Sequence, residues 1–332
     1  MGSSGSTPAT VSPEFRAVFR AHADADVAMS FDRFMALALY DPQVGYYRRN
    51  RVRVGQGPGT DFFTAASGGP LFGELVSTAC VHRLRAAGRD PAAHTWVEIG
   101  AEPDTGGVLA GVTHPFREVR VLRVGEPIGL GGDCVVFSNE LFDAQPCVRH
   151  VVRDGRWREL GVALRDDRLV EFELDADAVR APAVRAPEGY HFDQPLAAAA
   201  LADEIAAQDW RGLFIAFDYG KTLHQLITET PGGTARAYYR HTQSNDLLAR
   251  PGEQDLTCHV CWDWIADALT RHGFGRPELD FQESFFIHQA GELIAHISAA
   301  EAARSSPRKR ALMQLLHAGH LGQKFQVLHA VR

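Results

Sequence analysis

The polar residues with the clearest chemical potential follow an apolar run. Residues 134–137 (CVVF) are entirely apolar, and Ser138, Asn139, Glu140 and Asp143 come directly after them. An amide beside two carboxylates is suited to holding a cationic or amine-bearing group through charge-assisted hydrogen bonds. The same residues could instead cap a following helix and favour its positive end, so the spacing by itself leaves both interpretations open.

The elements that would position these side chains are predicted from hydrophobic patterns. A run without polar alternation indicates a strand buried on both faces, as in a parallel sheet covered by helices. Residues 95–99 (TWVEI) and 212–218 (GLFIAFD) have the same character, and they run into Gly100 and into Tyr219-Gly220. Because ligands bind beyond the carboxyl ends of such strands, Asp218 and Tyr219 could face the same site as Asn139.

Segments whose apolar residues recur at helical spacing alternate with these strands along the chain. This spacing predicts helices over residues 31–39, 70–87, 196–208 and 262–272, and alternating residues around Asp154-Gly155 and Asp166-Asp167 predict two hairpins. The pattern favours the α/β class, with a Rossmann-like, mostly parallel sheet flanked by helices, an N-terminal helical element and an inserted β-hairpin region. The predicted organisation is a disordered tail (1–29), a helical cap (30–94) and an α/β domain (95–332) with an insertion at about 148–195.

Composition narrows the class of protein. The 332 residues are 45% hydrophobic and 23% charged, with a net charge of -7, so a broad nucleic-acid surface is not expected. No apolar run approaches the roughly 20 residues that span a bilayer, and no secretory signal is visible. Five irregularly spaced cysteines predict a reduced, cytoplasmic protein, and the lone CxxC at Cys258 and Cys261 lacks the second pair of a zinc site, so no metal is predicted.

Two loops are weaker candidates for ligand contacts. The strand entering Gly100 could let the backbone approach a nucleotide, but Ala101 and Glu102 follow, and a plain turn explains the glycine equally well. Asp61 and Thr64 precede a helix and could contact hydroxyls or an amine, or could make local turn bonds.

An ordered series of segments resembles one known family, the MidA family of S-adenosylmethionine-dependent methyltransferases. Its mitochondrial members act as assembly factors of respiratory complex I and methylate a protein arginine. The resemblance extends over nearly everything from Phe31 onward. The matching segments are LYDPQVGYY (39–47), DFFT (61–64), LFGE (71–74), VEIG (97–100), SNELFDAQP (138–146), FDYG (217–220), GTARAY (233–238) with His241, PG (251–252), DLT (255–257) and HV (259–260).

The resemblance implies a class I methyltransferase fold, S-adenosylmethionine as cofactor and a protein as substrate. It implies catalytic roles for Asn139, Glu140 and Asp143. The cofactor residues it implies are Asp61, Thr64, Glu98, Gly100, Ala101 and, for the ribose hydroxyls, Glu126. The substrate residues it implies are Tyr47, Asp218, Tyr219 and His241.

The chain departs from the family pattern mainly on the cofactor side. Glu102 stands where the family has a second loop glycine, the segment between Gly100 and Asn139 is short, and Cys261 replaces an aspartate. Ala66-Ser67 replaces a proline-glutamate pair. Three functions stay open: a protein methyltransferase, a small-molecule methyltransferase, and a binding or assembly protein that no longer uses the cofactor. Exposed aromatic residues in the segment 281–287 leave a homodimer open.

Overall fold

The computed structural model describes residues 11–49, 69–103, 105–174, 180–301 and 306–332. The helices are α1 (Pro13–His22), α2 (Phe31–Tyr40), α3 (Pro70–Ala86), α4 (Leu196–Ala207), α5 (Leu223–Thr228), α6 (Trp262–Arg271), α7 (Gln282–Gln289), α8 (Gly291–Ala300) and α9 (Pro307–Leu316). The strands are β1 (Ala28–Ser30), β2 (Thr95–Ile99), β3 (Glu118–Leu122), β4 (Gly132–Asn139), β5 (Val148–Arg153), β6 (Arg156–Arg165), β7 (Arg168–Glu173), β8 (His191–Gln194), β9 (Trp210–Asp218), β10 (Gly220–Lys221), β11 (Arg236–Tyr239), β12 (Thr242–Ser244), β13 (Asp255–Thr257), β14 (Val260–Cys261), β15 (Glu278–Phe281) and β16 (Gln326–Val331).

The chain divides into two compact units, each built from three separate stretches of sequence. The first unit contains residues 1–62, 144–198 and 221–259, and the second contains residues 63–143, 199–220 and 260–332. The domain boundaries expected from the sequence, at residues 30, 95 and about 148–195, stay a prediction.

A six-stranded sheet forms the second unit, in the order β15-β16-β9-β4-β2-β3. Strands β9, β4, β2 and β3 run parallel to one another, so Val97 pairs with Val136 and Val136 pairs with Phe214. Strand β16 runs antiparallel to both β9 and β15. The α/β class is therefore confirmed, but the sheet is mixed.

The parallel strands of this sheet are stable because their side chains are apolar and are buried on both faces. All five residues of β2 are buried, as are most residues of β4 and β9. Aromatic rings link neighbouring strands on one face: Trp96 lies 5.0 Å from Phe137, and Phe137 lies 5.9 Å from Phe217, measured between ring centroids. Helix α3 adds Phe72 to the same core. This packing holds the strand ends in register.

Antiparallel pairing dominates the first unit. The sheet order is β1-β6-β5-β8, with β7 also paired to β6, while β11 pairs with β12 and β13. The turn between β5 and β6 has positive φ at Asp154 and Gly155, and that between β6 and β7 has it at Asp166 and Asp167. Two successive positive φ angles are typical of the type I′ hairpin turn, and both predicted hairpins are confirmed.

The N-terminal region differs from the prediction of a tail over residues 1–29. Helix α1 begins at Pro13, and the Ser12 side chain accepts a hydrogen bond from the Phe15 N–H. Phe15 and Phe19 are fully buried because their i, i+4 spacing places both on one helix face. Residues 11–29 are therefore ordered, and residues 1–10 lie outside the described part of the chain. Within the described ranges, every helix lacks the length or the apolar character needed to cross a membrane.

Candidate functional site

Three neighbouring parallel strands of the second unit end at one edge of the sheet. Ile99 pairs with Ser138, and Asn139 pairs with Phe217. The segments that follow these strands, beginning at Gly100, Glu140 and Tyr219, therefore lie together at the carboxyl edge. This is the position where open α/β sheets bind ligands.

The turn after β4 has an unusual backbone conformation. Glu140 has a φ of 52°, in the left-handed region that costs a residue with a side chain about 1–2 kcal/mol. Its N–H donates to the Phe217 carbonyl oxygen at 2.9 Å. The Asn139 amide nitrogen donates to the Glu140 carboxylate at 3.1 Å, and the buried Asn139 Oδ1 has no hydrogen-bond partner among the described residues.

This turn leads into bends and turns rather than a helix. Residues 140–147 are all described, and none of them is helical. The interpretation of Ser138 or Asn139 as a helix cap is therefore wrong. Asn139 and Glu140 therefore lie in an irregular turn at the sheet edge rather than at the start of a helix.

Asp218, the last residue of β9, lies beneath this turn. Its carboxylate Oδ2 accepts the N–H of Phe142 at 2.8 Å and that of Asp143 at 3.3 Å, and Oδ1 accepts the Tyr219 N–H at 2.8 Å. The side chain is 0% exposed. Burial raises the pKa of Asp218 from 3.8 to about 7, although the backbone N–H donors oppose the rise.

The turn after β9 needs a glycine for space. A Cβ at Gly220 would collide with the indole of Trp262, whose Nε1 donates to the Gln326 side chain at 2.8 Å. Gly220 is not in the positive-φ region, so it is the space and not the backbone conformation that requires a glycine there. The Tyr219 ring lies 4.1 Å from the Phe325 ring, between centroids. These contacts fix the backbone that carries Asp218.

The loop after β2 needs glycine for both conformation and space. Gly100 has a φ of 85°, and its N–H donates to the Leu122 carbonyl oxygen at 2.9 Å. The Ala101 N–H reaches the same oxygen at 3.3 Å. A Cβ at Gly100 would lie 2.8 Å from Cδ1 of Leu141, which follows β4. Nothing in the sequence pattern pointed to Leu141 as a neighbour of this loop.

Glu98 holds the next part of the loop. Its carboxylate accepts the Val108 N–H at 2.7 Å, and a Cβ at Gly107 would collide with the same oxygen. Burial raises the pKa of Glu98 from 4.5 to about 7. Among the described residues between β2 and β3 there is no helix, only turns. The shortened segment expected from the sequence is therefore observed, and the Glu98 carboxyl is committed to the loop backbone.

Glu126 lies beyond the end of β3. Its side chain is exposed, and one carboxylate oxygen accepts the Arg123 N–H at 2.9 Å. The Arg123 guanidinium in turn donates to the Thr105 carbonyl oxygen at 2.7 Å. A carboxylate thus flanks the loop after β2, where a ribose hydroxyl could donate to it.

The raised pKa of Glu98 predicts a pH-dependent stability. A carboxyl that binds its proton more tightly in the folded state stabilises the fold below the unfolded-state pKa, and this contribution is lost as pH rises to about 7. Between pH 5 and pH 8 the loss is about 2–3 kcal/mol.

Urea unfolding at these two pH values measures the loss, and Glu98→Gln provides the comparison because glutamine keeps the acceptor for the Val108 N–H. We expect the difference in unfolding free energy between pH 5 and pH 8 to shrink by about 2–3 kcal/mol in the variant. Other titrating groups are common to both proteins. An unchanged difference would show that Glu98 is ionised in the folded state at neutral pH.

Of the remaining predicted site residues, two lie in the first unit and two lie outside the described residues. Tyr47 and His241 belong to the first unit: the Tyr47 hydroxyl donates to Asp255 at 2.9 Å, and His241 is exposed in the turn between β11 and β12. Asp61 and Thr64 lie outside the described residues. Their roles stay predictions.

Metal-binding side chains are not clustered in the described parts of the chain. No group of three or more His, Cys, Asp or Glu side chains there could hold an ion. All five cysteines are buried free thiols. The chemistry of the edge is that of hydrogen-bond acceptors: the buried Asn139 Oδ1 and the Glu140 and Glu126 carboxylates suit a ligand that is positively charged and rich in donors, as S-adenosylmethionine is.

The fold of the protein is that of the α/β methyltransferases. A candidate methyl transferase from Burkholderia thailandensis, solved with S-adenosyl-homocysteine bound, superposes with a TM-score of 0.85 at 24% identity, covering 98% of this chain and 95% of that one. A native structure of an uncharacterized protein of the same superfamily and organism superposes with a TM-score of 0.80 and the same identity and coverage.

Sequence comparison agrees with the resemblance to this family. Residues 120–277, less than half of the chain, match the family described as "Putative S-adenosyl-L-methionine-dependent methyltransferase", so the resemblance predicted from the ordered motifs is confirmed. The protein arginine methyltransferase NDUFAF7, mitochondrial, of Danio rerio is 32% identical over 92 residues. That match covers 28% of this chain and only 20% of the length of the relative.

Proposed function

We propose that this protein is an S-adenosylmethionine-dependent methyltransferase that modifies an arginine side chain of a protein. One observation carries the proposal: in the turn after β4 the buried Asn139 Oδ1, which has no hydrogen-bond partner among the described residues, lies beside the Glu140 carboxylate. The N–H groups of Phe142 and Asp143 in the same turn are turned inward onto Asp218. An edge of acceptors favours a guanidinium over an anionic substrate.

Substrate positioning is the main task of such a site. When bound, S-adenosylmethionine supplies a methyl group attached to a positively charged sulfur. The Glu140 carboxylate would pair with two guanidinium N–H groups, and Asn139 Oδ1 would accept a further one, so that the attacking nitrogen is held in one orientation. The methylated nitrogen loses a proton, and Glu140 is the ionisable group of the turn that a bound guanidinium would face.

Cofactor binding would fall to the loop after β2 and to the end of β3. The left-handed Gly100 and the adjacent Ala101 bring a bare backbone to the edge, and the exposed Glu126 carboxylate can accept the ribose hydroxyls. Asp61 and Thr64 would complete this side, as the family resemblance implies. The S-adenosyl-homocysteine bound to the structurally similar Burkholderia protein supports the cofactor, and the name of the Danio rerio relative supports the acceptor.

A second function competes with the first. The described residues between β2 and β3 contain no helix, and the Glu98 carboxylate is occupied by the Val108 N–H. A protein with this loop could keep the fold, bind another protein and no longer use the cofactor. The two functions differ in whether the cofactor binds.

Calorimetry with S-adenosylmethionine separates them. We expect saturable binding by the wild-type protein and about tenfold weaker binding by Glu126→Gln, because one charge-assisted hydrogen bond to a hydroxyl is lost. Glu118→Gln is the matched control, since Glu118 is exposed at the opposite, amino end of β3. The absence of heat at millimolar cofactor from a folded sample would exclude the methyltransferase and leave the binding protein.

The acceptor is tested by transferring a labelled methyl group into a cell extract. Label recovered as methylated arginine after acid hydrolysis of the protein fraction is the expected result. Label confined to the low-molecular-weight fraction would contradict a protein acceptor and would support a small-molecule methyltransferase.

A further inference from the structure

We propose that Asp218 is a positioning residue that fixes the turn carrying Asn139 and Glu140 and does not itself touch the methyl acceptor. The inference rests on the proposed function and assigns the buried carboxylate a role within that site. It replaces direct contact with substrate, the role that the family resemblance implies for Asp218.

The hydrogen bonds of Asp218 join two loops at the same sheet edge. Oδ2 accepts N–H groups from Phe142 and Asp143 at 2.8 and 3.3 Å, and Oδ1 accepts the N–H of Tyr219 at 2.8 Å. Strands β4 and β9 are neighbours in register, so the carboxylate bridges the turns that follow both strands. One side chain therefore sets the path of both.

The bridge is needed because the turn is under strain. Glu140 has a left-handed backbone conformation, which persists only where the surrounding structure holds it. Its N–H is held by the Phe217 carbonyl oxygen at 2.9 Å on one side. The two bonds from Asp218 to Phe142 and Asp143 hold the other side. Without them the Glu140 carboxylate would lose its fixed direction.

Burial and bonding argue against direct contact with a substrate. Asp218 is 0% exposed, and its carboxylate accepts the backbone N–H groups of Phe142, Asp143 and Tyr219. By accepting these N–H groups it also removes donors from the edge. The turn is left with the acceptor atoms of Asn139 and Glu140, which is the chemistry that a cationic acceptor requires.

Amide hydrogen exchange tests the structural half of the proposal without reference to activity. In Asp218→Asn one carboxylate oxygen becomes an NH₂ group that cannot accept, so exchange should accelerate about tenfold or more either at Phe142 and Asp143 or at Tyr219, while exchange in β2 stays unchanged. If Asp218→Asn does not fold, Asp218→Ser is measured in the same way. Unchanged exchange at Phe142, Asp143 and Tyr219 would overturn the proposal.

Kinetics test whether Asp218 acts through Glu140. Asp218→Asn should lower kcat/KM for an arginine peptide about tenfold, and the double variant with Glu140→Gln should be no worse than the poorer single variant, because both changes remove the same positioned carboxylate. Fully multiplicative losses would contradict action through Glu140.

Asp193 provides the matched control. It is a buried aspartate of the first unit whose carboxylate accepts the N–H groups of Thr234 and Ala235 at 2.6 and 2.7 Å. Asp193→Asn should lower stability comparably without changing exchange at Phe142 and Asp143. If the wild-type protein binds no S-adenosylmethionine, the proposed function fails, whereas the exchange experiment still decides the role of Asp218.

Discussion

Glu140→Gln is expected to lower kcat/KM for an arginine-bearing acceptor by about 10- to 100-fold. Glutamine has nearly the same shape and keeps an oxygen for the Asn139 amide, which donates to the Glu140 carboxylate at 3.1 Å. It removes the negative charge that would pair with a guanidinium, and a hydrogen bond to a charged group contributes about 1.5–3 kcal/mol. Steady-state methyl-transfer rates over a range of peptide concentrations measure the effect.

The control for this substitution lies at the other end of the sheet. Glu118→Gln makes the same chemical change at the exposed amino end of β3 and should leave kcat/KM unchanged. The cofactor affinity of both variants, measured by calorimetry, shows whether the loss concerns the acceptor. If the methyl-transfer rate of Glu140→Gln equals that of the wild type, the turn after β4 is not part of the catalytic site.

Phe217→Ala is expected to lower the free energy of unfolding by about 4 kcal/mol. The ring is fully buried at the centre of an aromatic cluster, within 5.4–5.9 Å of the rings of Phe72, Phe137, Phe285 and Phe286, between centroids. Its truncation removes apolar burial and leaves a cavity between the sheet and its helices. Urea unfolding followed by circular dichroism measures the change.

Phe281→Ala is the matched substitution at an exposed site of the same sheet. Phe281 is 47% exposed, so its truncation should change the unfolding free energy by less than about 0.5 kcal/mol. An equally small loss of unfolding free energy in Phe217→Ala would mean that neighbouring side chains fill the cavity left by the missing ring. Because the Phe217 backbone carbonyl oxygen, which accepts the Glu140 N–H, is retained, the turn after β4 should survive in a folded variant.

The elements that local pattern determines were predictable. Strand β2 has the bounds expected from its apolar residues, and the hairpin turns at Asp154-Gly155 and Asp166-Asp167 lie where their turn chemistry places them. Helix α3 ends at Ala86, one residue from its predicted end. These features depend on side-chain periodicity and on residues that accept a positive φ, which are properties of a short stretch of chain.

Elements that depend on distant partners were not predictable in the same way. The antiparallel direction of β16 follows from its pairing with β9 and β15, which no pattern within β16 encodes. Helix α1 was missed because its two buried phenylalanines stand in a short, polar N-terminal stretch. A short amphipathic pattern forms a stable helix only when its apolar face can pack against a core.

The candidate site shows the same division. The sequence by itself determined which polar residues follow the buried strands, because Asn139, Glu140 and Asp218 each come after an apolar run. Only the tertiary structure decided how they are placed. It buried Asn139 Oδ1 with no partner among the described residues, set Glu140 in a left-handed turn and directed Asp218 onto the backbone of the turn after β4. The reason is that hydrogen bonds between strand ends join residues about 75 positions apart, and such partners are chosen by sheet register rather than by local sequence.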